Sequence, residues 1–475
     1  MKEIEIMEKN IEKTNGDIMR LMQLSKQDIK SLRSGRDGNG NDDAFINCAV
    51  ISSGCKLNQF EASQFESLFK NLNLNINVVE YGLSTISTKN NGSNDNIGLF
   101  LVNTCTVTEK ADAETNKIIR KIKKKYPDSR LILTGCSAQL NKIKFSEIPG
   151  VRLMDNVQKA ELLKISAQRF PDTILHQKRT RPYLKIQEGC DLECSYCIIP
   201  KARPVKWSLA IKSVLNSIEN LGRLGYKEVI LTGVNIGSYM DKNSGAKLKN
   251  LLEAIEELKN DMKIRISSID PVYIDDDMIK IFTCSKKIQN HFHIPLQSAS
   301  DKILKSMNRN HSFKDYTLLV AKITEKIKYA SIGTDIISGF PGETEDDFSE
   351  TADNLKKLPI YYIHAFSYSD RPGTESYSLK QKINETEIKR RTGIIRKISS
   401  QKKIEFHKKF QNKTLEFLSL NDNKAISSNY IKAKITGNAP VAPGKAFKGM
   451  IIIEDGAGGV SQSAGEVSVI IKDYI

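Results

Sequence analysis

The sequence predicts an α/β protein: two successive series of β-α units followed by a small antiparallel β-barrel. Three observations carry that expectation. Short apolar runs of strand length alternate with amphipathic stretches of helical length from residue 45 to about 410, the pattern of parallel strands joined by crossover helices. Each of the first three runs ends in a cysteine-bearing turn. From Leu415 the helical periodicity gives way to short β-type runs separated by turn residues.

Residues 1–43 alternate acidic, basic and apolar groups and then run into Ser34-Gly35-Arg36-Asp37-Gly38-Asn39-Gly40, which reads as a charged helix on a flexible linker. A first domain follows over 44–165. Its runs Phe45–Ile51, Leu99–Val102 and Leu131–Thr134 read as buried parallel strands, ending at Gly54-Cys55, Thr104-Cys105 and Gly135-Cys136. Open α/β sheets bind ligands outside the carboxyl ends of their strands, so these three cysteines can meet at one point. Three buried small residues would give the same text. After a polar connector near Ser166–Arg179, residues 179–410 carry strand-like runs at Tyr183–Gln187, Glu228–Thr232, Lys263–Ser267, His293–Leu296, Ser331–Ile337 and Ile363–Tyr368. Repeated β-α units of this kind imply a parallel barrel or partial barrel with loops gathered at the strand carboxyl ends. Residues 411–475, with Tyr430–Ile435 and Met450–Ile453, form the small barrel.

The most informative chemistry lies in Gly189-Cys190-Asp191-Leu192-Glu193-Cys194-Ser195-Tyr196-Cys197-Ile198-Ile199-Pro200. Thiolates three and four residues apart on one loop can converge on an iron–sulfur cluster. If the loop supplies three ligands to a four-iron cluster, one iron stays open to a chelator such as the amino and carboxylate groups of S-adenosylmethionine (SAM). Zinc is the alternative, but zinc sites close with four ligands in paired Cys or Cys/His arrangements, and no fourth ligand lies near in sequence.

A chain of 475 residues holds roughly three domains of ~150 residues. With 39% hydrophobic and 27% charged residues it has the composition of a globular protein. It shows no apolar run of membrane-spanning length and no secretory apolar segment, so a cytoplasmic location and no membrane partner are expected. Eight cysteines in so long a chain do not make a disulfide scaffold, and Cys48 and Cys284, outside both clusters, read as core filler. The formal charge of +16 points to a polyanion, since Lys and Arg bind phosphate by releasing counterions. Basic residues gather at Lys117–Lys125, Lys178–Arg181 and Lys389–Lys409. Each run alone is no more than a solvated helix face; three together favour nucleic acid.

With these residues in hand, the chain from Phe45 to its end resembles the radical-SAM methylthiotransferases. Six cysteines match the two cluster motifs. The local text is closest to the MtaB type, which modifies threonylcarbamoyladenosine in tRNA, at Gly54-Cys55-Lys56-Leu57-Asn58-Gln59, Asn103-Thr104-Cys105-Thr106-Val107-Thr108, Leu231-Thr232-Gly233-Val234-Asn235, His293-Ile294-Pro295-Leu296-Gln297-Ser298 and Asp370-Arg371-Pro372-Gly373-Thr374. The resemblance implies a Rossmann-like N-terminal α/β domain, a radical-SAM partial (β/α) barrel and a TRAM-like RNA-binding barrel. It implies two [4Fe-4S] clusters, on Cys190, Cys194 and Cys197 and on Cys55, Cys105 and Cys136, with SAM as the second cofactor. The implied reaction is radical methylthiolation of adenine C2 beside the anticodon. The implied partners are the tRNA anticodon stem-loop, an electron donor such as a flavodoxin or ferredoxin, and a sulfur donor of unknown identity. Tyr196 is expected beside the SAM adenine, Gly233 and Asn235 at its methionine amino group, and Ser268 and Gln297 as polar SAM contacts; the same residue types also serve as turns and caps. Arg203 is the candidate partner for a substrate carboxylate. Two positions depart from the family text: Lys201-Ala202-Arg203-Pro204, where proline removes a backbone donor, and Ala299, where glycine is usual. The same features leave room for isopentenyladenosine in tRNA or a ribosomal-protein aspartate as substrate, or for a non-catalytic iron–sulfur redox sensor that binds RNA.

Overall fold

The computed structural model describes residues 46–71, 76–79, 97–169, 177–436, 441–453 and 467–475, together with Arg20 and Met22. The charged extension expected over 1–43 thus lies outside the described residues, those two apart.

The first apolar runs form strands with both faces buried. β1 (Ile46–Ser52), β2 (Ile76–Val79), β3 (Ile97–Thr104), β4 (Arg130–Gly135) and β5 (Val151–Leu153) pair in the order β2-β1-β3-β4-β5, all parallel. Alternate residues serve two cores. Cys48, Val50, Leu99, Leu101 and Ile132 pack with Phe65 and Leu68 of the helix Lys56–Asn71 on one face. Ala49, Ile51, Phe100, Val102, Leu131 and Leu133 pack with Ile118, Ile119 and Ile122 of the helix Glu109–Lys125 on the other. Continuous apolar runs are what a parallel sheet covered on both faces requires. The edge strands β2 and β5 were not expected; both are short and lie outside the apolar runs.

A second unit carries β6 (Tyr183–Lys185), β7 (Gln187–Glu188), β8 (Trp207–Ser208), β9 (Glu228–Thr232), β10 (Lys263–Ile266), β11 (His291–His293), β12 (Ser331–Ser338) and β13 (Tyr362–Ser367). Two parallel sheets, β10-β9-β6 and β11-β12-β13, are joined by a bridge between Ile264 and Ile288 and by the bond from Ile269 N to His293 O at 3.0 Å. The result is a six-stranded partial barrel, with the short antiparallel ribbon β7-β8 beside it. The strand expected at His293–Leu296 forms two residues earlier. Ile294 and Leu296 are fully buried, but Pro295 has no amide to donate, so the backbone leaves the ladder there.

β14 (Thr414–Ser419), β15 (Lys424–Ser427), β16 (Lys432–Thr436), β17 (Ala446–Ile453) and β18 (Val467–Tyr474) close into the expected small barrel, in the order β14-β15-β16-β18-β17. Four seams are antiparallel, and β16-β18 is parallel. Five strands cannot alternate direction all the way round a closed barrel, so one seam must be parallel. Arg265 of β10 donates to the carbonyls of Ser427 and Ser428, both at 3.2 Å, and His291 stacks on Tyr430 at 4.0 Å between ring centroids. These contacts make one compact unit of the two barrels, residues 178–197 with 207–475. The segment Ile198–Lys206 packs instead with the chain up to Gln177, although its neighbours on both sides belong to the second unit. Among the described residues, no helix is long and apolar enough to cross a membrane.

Candidate functional site

The N-terminal cysteines sit where the topology brings strand ends together. β1, β3 and β4 are adjacent, spaced by about 4.8 Å per strand, and their carboxyl ends lead into Cys55, Cys105 and Cys136. Two glycines make the approach possible. A Cβ on Gly54, at φ +96°, would lie 2.4 Å from Cys105 Cβ; one on Gly135, at φ +92°, would lie 2.4 Å from Thr104 O. Asn58, on the helix that follows Cys55, ties two of the loops by donating Nδ2 to Ser53 O and to Thr104 O, both at 2.9 Å. Thr104 Oγ1 ties the third, donating to Thr134 O at 2.6 Å and accepting from Ala138 N at 3.0 Å.

Arg203 belongs to this site. Its side chain is 3% exposed and donates Nε–H to Cys136 Sγ at 3.2 Å, Nη1 to Glu61 Oε1 at 2.9 Å and Nη2 to Asn58 Oδ1 at 2.8 Å. Glu61 is fully buried and also accepts from Lys159 Nζ at 2.8 Å and Asn103 Nδ2 at 3.1 Å. The guanidinium expected to meet a substrate carboxylate therefore has a protein carboxylate and a cysteine as partners. Pro204 lies exposed just past the end of the helix Ile199–Ala202, a place where a missing amide costs little.

The second set follows β6 and β7. Cys190 Sγ accepts from Leu192 N at 3.4 Å, and Cys194 Sγ accepts from Arg309 Nη1 at 3.3 Å. Arg309 is buried and paired through Nη2 with Asp270. Ser195 pins the loop by bonding Met307 O through its amide, at 3.1 Å, and Ser306 O through its hydroxyl, at 2.8 Å. Tyr196 is half-buried against Ile303, Met307 and Phe340. Gly233 and Asn235 lie at the end of β9, where Gln187 Oε1 accepts from Asn235 N at 2.9 Å and a Cβ on Gly233 would fall 2.8 Å from that same oxygen. Asn235 Nδ2 donates to Tyr273 OH at 3.2 Å. Ser268 is exposed after β10, and its neighbour Ser267 is buried with Oγ unpartnered. Gln297 follows β11 with φ +78°, uncommon for a residue with a side chain, held by bonds from its N to Asp335 O and from Ile337 N to its O. Ala299, where glycine is usual, has no positive φ; in this segment the positive φ belongs to Gln297.

Both sets fit a multi-iron cluster better than one ion. Burial pushes the Cys105 thiol up to about 11, and repulsion from Cys55 and Cys136 adds to it, so the three sulfurs lie within electrostatic reach. Burial likewise raises Cys190, opposed by the Leu192 amide and assisted by Cys194. Among the described residues, however, neither set has all its sulfurs within 4.8 Å of one another. A tetrahedral zinc with Zn–S of about 2.3 Å needs sulfurs roughly 3.8 Å apart. Cys48 is core filler, fully buried, whereas Cys284 is exposed: it falls two residues past Phe282, on the opposite side of its helix.

The residues missed from sequence are Glu61, Asn58, Lys159, Arg309, Asp270, Tyr273 and Gln187. Only Asn58 and Glu61 carried a signal, at three and six residues past Cys55 on one helix face. A further group lies on the inner face of the partial barrel. His293 Nε2 and His364 Nδ1 bond Asp335 Oδ1 at 2.8 and 3.2 Å, and His293 Nδ1 meets Tyr362 OH at 3.1 Å. His293 is thus a packed, hydrogen-bonded histidine. Burial alone would raise the Asp335 carboxyl, but the two rings outweigh it and hold the group well below the usual carboxylate range.

The basic run Lys389–Lys409 lies on the helix Glu385–Lys408, and part of it is structural. Arg391 bonds Glu343 and Glu387, Arg390 bonds Glu345 and Glu387, and Lys402 caps the carbonyl of Leu358. Arg396, Lys397, Lys408 and Lys409 remain exposed.

Residues 184–355 match the family model of the Radical SAM superfamily, and residues 47–154 match that of Uncharacterized protein family UPF0004. The threonylcarbamoyladenosine tRNA methylthiotransferase MtaB of Aquifex aeolicus is 34% identical over 411 residues, 82% of this chain and 96% of that protein. The tRNA-2-methylthio-N(6)-dimethylallyladenosine synthase of Endomicrobium trichonymphae is 30% identical over 405 residues, 82% of this chain and 91% of that protein. Among solved structures, the radical S-adenosylmethionine methyltransferase TsrM of Kitasatospora setae, with cobalamin and a [4Fe-4S] cluster bound, gives a TM-score of 0.50 at 14% identity, over 70% of this chain and 77% of that one. That likeness is one of fold. Two cysteine sets that follow parallel strands, in a chain 34% identical to the Aquifex aeolicus tRNA methylthiotransferase over 96% of that protein, identify a tRNA-modifying enzyme: the chain belongs to the radical-SAM methylthiotransferase family.

Proposed function

We propose that this enzyme methylthiolates C2 of N6-threonylcarbamoyladenosine beside the anticodon of tRNA, with SAM and two [4Fe-4S] clusters. The observation that carries the reading is the pair of separate three-cysteine sets, each with one buried arginine donating to one of its sulfurs. When bound, the clusters and SAM supply the one-electron chemistry and the sulfur, electrons coming from a carrier such as a flavodoxin or ferredoxin. Cys190, Cys194 and Cys197 would hold one cluster, with Arg309 fixing Cys194, and Cys55, Cys105 and Cys136 the other. Gly233 and Asn235 follow β9, Ser268 follows β10, Gln297 follows β11 and Tyr196 lies between Cys194 and Cys197; from there they would bind and orient SAM at the Cys190, Cys194 and Cys197 set. His364, the exposed member of the hydrogen-bonded group of His293, Asp335 and Tyr362, supports the threonylcarbamoyl group over isopentenyl, because its ring offers a polar contact that only a polar substituent can use. The exposed cations of the Glu385–Lys408 helix and the C-terminal barrel are the surfaces offered to RNA.

The test is nucleoside analysis of tRNA from cells lacking and regaining the protein, paired with offering both modified tRNAs to the reduced enzyme with SAM and a sulfur source. Methylthio-threonylcarbamoyladenosine should be missing from cells that lack the protein, return in those that regain it, and form in vitro from the threonylcarbamoyl tRNA. Turnover of the isopentenyl substrate alone would refute the substrate, and methylthiolation of neither would return the protein substrate or the redox sensor to consideration.

A further inference from the structure

Arg203 lies six residues past Cys197, yet its side chain is built into the other cysteine set. Its planar fork is fully specified. Nη1 meets Glu61 Oε1 at 2.9 Å, Nη2 meets Asn58 Oδ1 at 2.8 Å and Glu61 Oε2 at 3.3 Å, and Nε is thereby aimed at Cys136 Sγ at 3.2 Å. Glu61 cannot yield, since Lys159 and Asn103 hold its Oε2 and it is fully buried. Asn58 cannot yield either, since its Nδ2 ties the two loops that carry Cys55 and Cys105. One rigid web therefore connects the guanidinium to all three cysteine loops. An N–H bond and a fixed positive charge at a cluster sulfur stabilise the more negative, reduced state and so raise the reduction potential.

We propose that Arg203 is a positioning residue of the Cys55, Cys105 and Cys136 centre: its Nε–H bond orients the Cys136 thiolate and raises the reduction potential of the cluster held there. This rests on the reading that those cysteines hold a [4Fe-4S] cluster. The role is not one that lysine can fill. A single ammonium can neutralise Glu61 or reach Cys136, but it has no second donor fixed in the plane of the first.

The test uses the full chain with Cys190, Cys194 and Cys197 replaced by Ala, reconstituted anaerobically so that the remaining cluster is read alone. In this parent we expect about four irons per chain, and a reduced cluster whose electron–nuclear double resonance spectrum contains a coupled proton that disappears after exchange into deuterium oxide. Arg203→Lys, which keeps a charge opposite Glu61 and hence the fold, should retain the iron, shift the potential to more negative values and lose that exchangeable coupling. Arg203→Gln should do the same with a larger shift; should it fail to fold by circular dichroism, Arg203→Lys decides. Potential and proton coupling unchanged in Arg203→Lys would overturn the inference and leave Arg203 as a fold-stabilising partner of Glu61. Absence of iron from the parent would overturn the cluster reading itself, and the inference with it.

Discussion

Replacing Arg265 by Met probes what makes a single unit of the two barrels. Arg265 and Glu228 are each about 2% exposed, and the carboxylate takes Nε at 2.8 Å and Nη2 at 3.1 Å, with Arg181 and Gln289 completing its shell at 3.1 Å each. Methionine fills much of the volume but leaves a buried carboxylate short of its main partner, a loss of about 3–5 kcal/mol. Arg181 and Gln289 remain, which favours the lower end. The carbonyls of Ser427 and Ser428 lose their donors at about 1 kcal/mol each. The expected total is ~5 kcal/mol, concentrated where β15 meets the partial barrel, so hydrogen exchange of the β15 and β16 amides should accelerate by roughly a factor of 10³ to 10⁴. Glu228→Gln in the same chain should recover about half, since it removes the stranded charge. The pH dependence has a defined sign. Burial opposes ionisation of Glu228, but Arg265 and Arg181 outweigh it and depress its pKa, so its stabilisation is present above the unfolded carboxyl value of about 4.3 and is lost as pH falls through the lower folded value. The penalty of Arg265→Met should therefore be largest near neutrality and shrink below about pH 4. A loss under ~1 kcal/mol at pH 7, or no recovery in the double variant, would refute the ion pair as the joint.

Four further outcomes are expected. Alanine at Cys190, Cys194 and Cys197 should leave about half the iron of the reconstituted protein and abolish SAM cleavage, whereas alanine at Cys55, Cys105 and Cys136 should spare SAM cleavage and abolish methylthiolation; complete iron loss in either would refute two independent centres. Neutralising Arg396, Lys397, Lys408 and Lys409 should lower the slope of log affinity for tRNA against log salt by about 0.7–0.9 for each phosphate no longer met by a cation, while Arg391→Gln should act on stability instead. His364→Phe, on the half-open side of the inner wall, should reduce turnover of threonylcarbamoyladenosine relative to isopentenyladenosine by about tenfold; equal loss on both substrates would remove this wall from substrate selection. Deleting residues 412–475 should destabilise the partial barrel as well as weaken RNA binding, because it uncovers Arg265 and His291; unaltered thermal unfolding of the remainder would contradict the shared core.

The sequence by itself determined what depends on short range. Apolar runs Leu99–Val102 and Leu131–Thr134 became central strands because residues buried on both faces must be continuously apolar, and the loop from Cys190 to Cys197 holds three cysteines within eight residues of chain. The five-residue strand Glu228–Thr232 was legible for the same reason, and the final barrel from its short β-type runs separated by turn residues. Tertiary structure alone decided the partners of the charges. Nothing in the spacing of Glu61, Lys159 and Arg203, up to 142 positions apart, says that they share one buried ion cluster beside Cys136, and a guanidinium reads the same in sequence whether it meets solvent, substrate or a thiolate. Arg391 and Lys402 inside a basic run show the same limit: a charge run counts cations, whereas burial of one helix face against β13 decides which of them remain free to meet a polyanion. Electrostatic pairing is set by distances between chain segments remote in sequence, and only the fold supplies those distances.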